Sequence, residues 1–412
     1  MTDDRGADGS AGFRPIRMLD ADVGAPLGDI SGLDGFDRAR ILVRMRGVPV
    51  GFVDVPVRDG TCLADDIRAA VRDGGLHTDA GTPAEPDGPW PPLTVAVCTR
   101  GRPDDLAACL EHIARLDYPD IECIVVDNAP TDDANAAVCA RHPGVRRVVE
   151  PRPGLNRARN RAILEAHGDI IAFADDDVRV DRDWAMQLAR AFMADPAVMV
   201  VAGLGVPLEL ETPAQLAFEE YGGAGGGFRR IRMQGGPDWG VRGLWHYARM
   251  AMQGSGGNMA FRRPVFDDVG LFDPALDVGT PTEAGGDTEM MFRVLAHGHA
   301  MVYEPRAVNR HRHRRTWAEL ERQIHGWGTG MYAFLTRSAL SRPRGWWVFG
   351  LLALHGYASL AGALFHPGGV PRRLILAQLR GGVVGPLRYF QARSRARRPD
   401  PRQRPQPGSL AP

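Results

Sequence analysis

The chain has 412 residues, 44% of them apolar and 24% charged, with a formal net charge of +0. That length allows a large core and more than one domain, and the composition excludes a disordered or collagen-like polymer. All 50 basic residues are arginine, which excludes chemistry needing a primary amine: a P-loop lysine, a Schiff base or lysine-dependent nucleotidyl transfer.

The five cysteines, at 62, 98, 109, 123 and 139, are scattered and show no C-x-x-C spacing. This predicts free thiols in a reducing cytoplasm. The stretch "MTDDRGADGS" carries no basic-then-apolar signal pattern, so export is not expected. Residues 1–76 read as a small N-terminal α+β domain. Within it, "ARILVRMRGVPVGFVDVPV" alternates apolar and polar residues around a hairpin turn at Gly47. The Pro/Gly-rich run 77–92 reads as a linker, and nothing in residues 1–92 proposes a chemistry.

From Leu93 the pattern changes to alternating strands and helices. "LTVAVCTR" is a strand, followed by a helix in which Leu106, Cys109, Leu110 and Ile113 recur at helical spacing. "IECIVVDN" is the second strand, and "TDDANAAVCARH" a helix with Thr131 as its expected cap. "VRRVVE" is the third strand, "LNRARNRAILEAH" a helix expected to stop at Gly168, and "IIAFADDD" the fourth strand. This order predicts a mostly parallel sheet with right-handed crossovers.

In open α/β sheets, ligands bind beyond the carboxyl ends of the strands. Three such ends are polar here: Thr99-Arg100, Asp127-Asn128 and Asp175-Asp176-Asp177. Turn and cap preferences account for any one of them, but three on one edge point to a site. Three adjacent carboxylates repel one another. They fit best if they supply hard oxygen ligands to Mg²⁺ or Mn²⁺ beside phosphate oxygens.

Further on, "GGDTEMMFRVLAHGH" places Asp287 at a helix start, where spacing alone favours an N-cap over a general base. In "NRHRHRR", His311 or His313 could join a metal shell or meet phosphate, although a solvated surface is the plainer reading. The glycine loop of "GSGGNMAFRR" either makes a turn or lets an acceptor or diphosphate approach the backbone, with Gly257 and Asn258 on the acceptor side. The stretch 346–365 has no charged residue and the length of a membrane span, but Gly350, His355, Gly356, Tyr357 and Ser359 dilute it. With the apolar and basic run that follows, 346–390 reads as a peripheral membrane attachment, and a helix packed on the catalytic domain is equally consistent. Residues 391–412 read as a disordered Arg/Pro-rich tail.

Taken in order, "CTRGRP", "VVDNAPTD", "GLNRARN", "FADDD", "GGNMAFRR", "GGDTEMMFR" and "RHRHRR" resemble the family 2 glycosyltransferases over about residues 93–315. The resemblance implies the GT-A fold: an α/β, mostly parallel sheet flanked by helices. A small β-containing N-terminal domain precedes it, and a helical, partly hydrophobic extension over 316–390 follows. It implies a nucleotide-sugar donor, a UDP-sugar by first expectation, with Thr99, Arg100 and Asp127 holding the base and Arg159 nearby as a further donor-binding residue. Asp175 and Asp177 would bind Mg²⁺ or Mn²⁺, His311 would add a ligand, and Asp176 would lie near ribose or metal. Asp287 would be the base of a single inverting displacement onto a hydroxyl of a glycan, lipid-linked or small-molecule acceptor. A cytoplasmic site at the inner membrane face follows, with no nucleic-acid partner. Two departures stand out: Gly286 where many members are acidic before the base, and Cys98 where many have proline. A nucleotidyltransferase is disfavoured by the absent lysine. An inactive scaffold is disfavoured by the presence of both the metal carboxylates and the base.

Overall fold

The structure is a computed structural model that describes residues 12–76, 88–223, 226–236, 254–342, 346–365 and 370–397. The small N-terminal unit consists of β1 (Ile16–Asp22), β2 (Arg38–Met45), β3 (Val48–Pro56) and α1 (Ala64–Asp73). Arg46 and Gly47 have φ of 51° and 80°, the left-handed pair that a two-residue hairpin needs, so the turn forms where the alternation places it. Ile41, Val43, Val53 and Val55 face inward against Ile67 and Val71 of α1 and close a separate core.

The larger α/β region runs β4 (Leu93–Thr99), α2 (Pro103–Ile113), β5 (Ile121–Asn128), α3 (Ala134–Ala140), β6 (Val145–Glu150) and α4 (Leu155–Glu165). It continues through β7 (Ile170–Asp175), β8 (Val178–Val180), α5 (Trp184–Met193), β9 (Val198–Pro207), α6 (Pro213–Glu220) and β10 (Ile231–Gln234). Then come β11 (Asn258–Arg262), α7 (Val265–Val269), α8 (Gly286–Ala296) and β12 (Ala300–His311). The sheet order is β10-β12-β9-β11-β7-β4-β5-β6, with β8 paired to β12. Every residue of β4 is buried, as expected for a central parallel strand.

Successive side chains of the strands point to opposite faces and seed two cores. Ala96, Ile124 and Val126 meet Ala158 and Ala162 of α4 and Met290 of α8. Val95, Val97 and Val125 meet Leu106 and Leu110 of α2 and Trp184 and Leu188 of α5. The sheet is mixed rather than mostly parallel, because β11 runs antiparallel between β7 and β9. Asn258 pairs with Ala174 at the carboxyl end of β7, so β11 starts at that edge and can only run back.

Two local expectations are corrected. The residue preceding α3 is Asp133, not Thr131. Likewise α4 ends at Glu165 with Ala166 extended, before Gly168 is reached. Gly168 instead abuts β4, where a Cβ would lie 2.6 Å from the Thr94 amide.

Three helices follow: α9 (Trp317–Ser341), α10 (Trp346–Phe365) and α11 (Arg372–Ala396). Thr316 and Glu319 form a reciprocal cap at the start of α9. Helices α9 and α11 touch backbone to backbone through glycines. A Cβ on Gly328 would stand 2.1 Å from the Gln378 carbonyl, and one on Gly381 2.0 Å from that of His325. Because the clash is with backbone, Gly381→Val should cost about 3 kcal/mol or more, read as a fall in the denaturant midpoint. Helix α11 extends past residue 390, where a disordered tail was expected. Residues 77–87 of the expected 77–92 linker and the tail from 398 lie outside the described residues.

The small sheet docks on the far end of β12. Ile16 donates to the Leu210 carbonyl. A ring of alternating charge forms in which Asp20 accepts from Arg44 at 3.1 Å and from Arg310 at 2.7 Å, while Asp181 pairs with both arginines. Arg310 immediately precedes His311, so this unit braces the strand that brings His311 to the site.

Candidate active site

The strand ends meet as the alternation implied. Thr99 stands opposite Asp127 in the β4–β5 register, and Cys98 opposite Asp175 in the β4–β7 register. The three acidic and polar ends therefore share one edge of the sheet. Beyond β7 the chain turns at Asp176 and Asp177 before β8.

The aspartates of the triplet have different surroundings. Asp176 is buried and accepts from the Thr99 hydroxyl at 2.8 Å and from Arg102 at 3.1 Å. Burial dominates, and its pKa is pushed up to about 6. Asp175 also rises to about 6, through burial and then the charge of Asp177. Asp177 is the one held ionised. Burial opposes this, but the charge and hydrogen bond of His311 win, with Arg102 and Arg314 adding to the effect, and its pKa falls well below the usual range. His311 Nε2 lies 3.4 Å from Asp177, and Arg314 lies 3.8 Å from it.

Behind His311 stands a second set of partners. Its Nδ1 is 3.1 Å from Nδ1 of His313, whose Nε2 is 2.8 Å from Glu219. A carboxylate accepts only from an N–H, so His313 carries its proton on Nε2 and offers Nδ1 as acceptor. His311 then donates from Nδ1, and Nε2 is the nitrogen it turns toward Asp177. The ring of Phe218 packs on His313 at 4.6 Å and fixes its plane.

Asp287 is not the cap of α8. Gly285, with φ 94°, holds that position, and the Asp287 carboxylate reaches across to the glycine loop. It accepts from the Gly256 amide at 2.8 Å and from the Thr288 amide at 2.7 Å. Burial and then the charge of Asp277 raise its pKa, while Arg159 and the two amides resist. Gly257 lies against Asp175, where a Cβ would be 2.6 Å from the carboxylate. Two consecutive glycines thus separate the acidic triplet from the candidate base, and a side chain on either would fill that gap.

Gly286 now has a physical account. A Cβ there would fall 2.2 Å from the Asn156 amide and 2.6 Å from the Asp277 carboxylate. The acidic group that the sequence lacks next to Asp287 is supplied from another loop, by Asp277. Its partner is Arg159, at 2.7 Å, enclosed and lying over the Phe272 ring.

Some expected site residues sit differently. Arg159 is buried and spent on Asp277 and Asn156, so it braces the base side rather than presenting its guanidinium to a nucleotide. Arg100 is exposed, and Arg102 is the arginine that reaches the triplet. Asp127 is fully buried, with its carboxylate on Arg147 and Asn135. Asn258 is corrected from the acceptor side. Its amide donates to the carbonyls of Leu204 and Ala307 and accepts from Trp184, pinning the start of β11. The residues missed were Arg102, Arg314, Asp277 and Glu219, while His313, weighed as a metal or phosphate ligand, stands behind His311 instead. Arg102 and Arg314 lay within quoted motifs, whereas nothing local marked Glu219 or Asp277.

Among the described residues, no three His, Cys, Asp or Glu groups are already gathered in metal-ligating geometry. The fit to a divalent ion rests on donor chemistry: paired carboxylates and one imidazole at an open edge suit Mg²⁺ or Mn²⁺ completed by phosphate oxygens.

A mixed sheet ending in an acidic edge, flanked by a glycine loop and a carboxylate at a helix start, is the arrangement expected from the resemblance. Residues 94–270 match the family model described as glycosyl transferase family 2. An uncharacterized protein of Mycobacterium tuberculosis is 29% identical over 185 residues, covering 44% of this chain and 57% of that protein. Succinoglycan biosynthesis protein ExoM of Rhizobium meliloti is 31% identical over 116 residues, covering 26% of this chain and 37% of ExoM. The chain therefore spans 57% or less of these curated relatives. Among solved structures, the mannosyltransferase PcManGT of Pyrobaculum calidifontis, in complex with GDP-Man and Mn²⁺, is similar at TM-score 0.47 and 18% identity. That match covers 74% of this chain and 90% of that one.

Proposed function

We propose that this protein is a divalent-metal-dependent, inverting glycosyltransferase using a nucleotide-sugar donor. The observation that carries the reading is the Gly256-Gly257 pair, which bonds to Asp287 on one side and abuts Asp175 on the other. A donor diphosphate at the triplet and an acceptor hydroxyl at the base would then face each other across this glycine pair.

Asp175, Asp177 and His311 would hold the ion. When bound, it acts as a Lewis acid on the leaving diphosphate. The chain's own groups do the rest. Thr99 and Arg102 orient Asp176 toward the donor side. Asp287 accepts the acceptor's proton as its oxygen bonds to the anomeric carbon, and the bond to the diphosphate oxygen breaks on the opposite face. Arg159, paired with Asp277, opposes the rise in the pKa of Asp287. The donor is a UDP-sugar by first expectation. The acceptor is a hydroxyl of a glycan, lipid-linked or small molecule. Five buried, unpaired cysteines support a cytoplasmic location.

Screening nucleotide-sugars by thermal shift with and without Mn²⁺ tests the donor. Stabilisation by one of them only when the metal is present is the expected result. Product analysis tests the reaction: nucleoside diphosphate supports sugar transfer, and pyrophosphate refutes it. Because Glu219 sets the tautomer of His311 through His313, Glu219→Ala should weaken Mn²⁺ binding by about 10- to 100-fold in a calorimetric titration. An unchanged affinity would remove Glu219 from the site.

A further inference from the structure

Among the described residues, fourteen large apolar side chains are exposed, and nine of them lie on α10 and α11. On α10 they include Trp346, Trp347, Leu351 and Leu354, and on α11 Val383 and Leu387, each between 46% and 67% exposed. Single exposed apolar residues are normal, whereas a cluster confined to two adjacent helices marks a contact surface. The charges around it are one-sided. Helix α11 contains no Asp or Glu, and Arg372, Arg380, Arg388 and Arg395 are exposed along it. Arg380 shares a stripe with Val383 and Leu387 at three- and four-residue spacing, so an arginine head stands beside the apolar groups.

We infer that this face rests on an anionic phospholipid bilayer, with α10 lying in the plane of the interface rather than crossing it. A second copy of the chain fits poorly. A two-fold contact sets each patch against itself, so arginines would meet arginines with no acidic group on α11 to answer them. Lipid phosphates supply the missing negative charge, while the arginine stems and tryptophan rings suit the depth of the headgroups.

Crossing is opposed by the way α10 is held. Its inner face packs Phe349 edge-on against Phe292 at 5.9 Å, and its Ala353 carbonyl accepts from the Tyr332 hydroxyl of α9 at 3.1 Å. Midway along, the Tyr357 hydroxyl donates to the Leu379 carbonyl of α11 at 3.4 Å. Tied on both sides, α10 could not enter hydrocarbon without taking along the arginines of α11 and the Arg337–Glu289 pair of α9 and α8.

The inference is independent of the transfer reaction, and the test keeps the two apart. Full-length protein is floated with vesicles of phosphatidylcholine alone or with phosphatidylglycerol added. Binding is expected to the anionic vesicles only, and to fall with salt. The triple variant Arg380→Gln, Arg388→Gln, Arg395→Gln should bind about 100-fold more weakly. Trp347→Ser with Leu354→Ser should lose binding while keeping its circular dichroism, and Asp287→Asn should bind like the parent. Three results would overturn the inference: no preference for anionic vesicles, a dimer abolished by the apolar substitutions, or membrane-bound protein that resists carbonate extraction.

Discussion

Asp287→Asn is expected to lower the rate of sugar transfer by about 10²- to 10⁴-fold while leaving donor affinity unchanged. Asparagine keeps the size of the side chain and can still accept one of the two amide bonds from Gly256 and Thr288. What it cannot do is take up a proton. The alternative, that Asp287 merely caps a helix, predicts the opposite, because asparagine is as good a cap as aspartate. The geometry already separates the two, since Gly285 occupies the cap. The pH profile provides a second reading. The carboxyl must be ionised to act, and burial together with Asp277 raises its pKa above the ordinary 3.8. The rate should therefore fall as pH drops, along a limb centred above that value. A parent-like rate for Asp287→Asn in protein that binds donor normally would remove Asp287 from the reaction.

Asp177→Asn should weaken Mn²⁺ binding by more than about 100-fold, and metal-supported donor binding with it, as measured by calorimetry. Among the three aspartates, Asp177 is the one whose surroundings lower its pKa. His311, Arg102 and Arg314 all favour its ionised form. Asp175 and Asp176, lifted toward 6, lean on a cation to stay ionised near that pH. Removing the Asp177 charge also leaves His311, Arg102 and Arg314 facing one another. The variant's thermal midpoint must be measured alongside, so that lost affinity is not mistaken for unfolding. Equal binding by parent and variant would place the metal elsewhere.

Much of this was present in the order of residues. Strand and helix alternation from Leu93 onward, the polar strand ends, the hairpin at Gly47 and a carboxylate at the start of a helix are local patterns. They are set by hydrophobic period and turn chemistry within a few residues. The tertiary structure decided what depends on approach between distant segments. Gly101, with φ 61°, turns the chain so that Arg102 rather than Arg100 reaches the triplet. Arg159 and Asp277 are 118 residues apart, and His313 and Glu219 are 94 apart, so no spacing in the sequence announces either pair. Asn258 lies at the start of a strand that folds inward, which only sheet register can reveal. The purpose of the glycines of α9 and α11 shows only in the packed molecule, where two backbones pass within a Cβ of each other. Period and turn signals are properties of a short stretch, whereas the partners of a buried charge belong to the packed molecule.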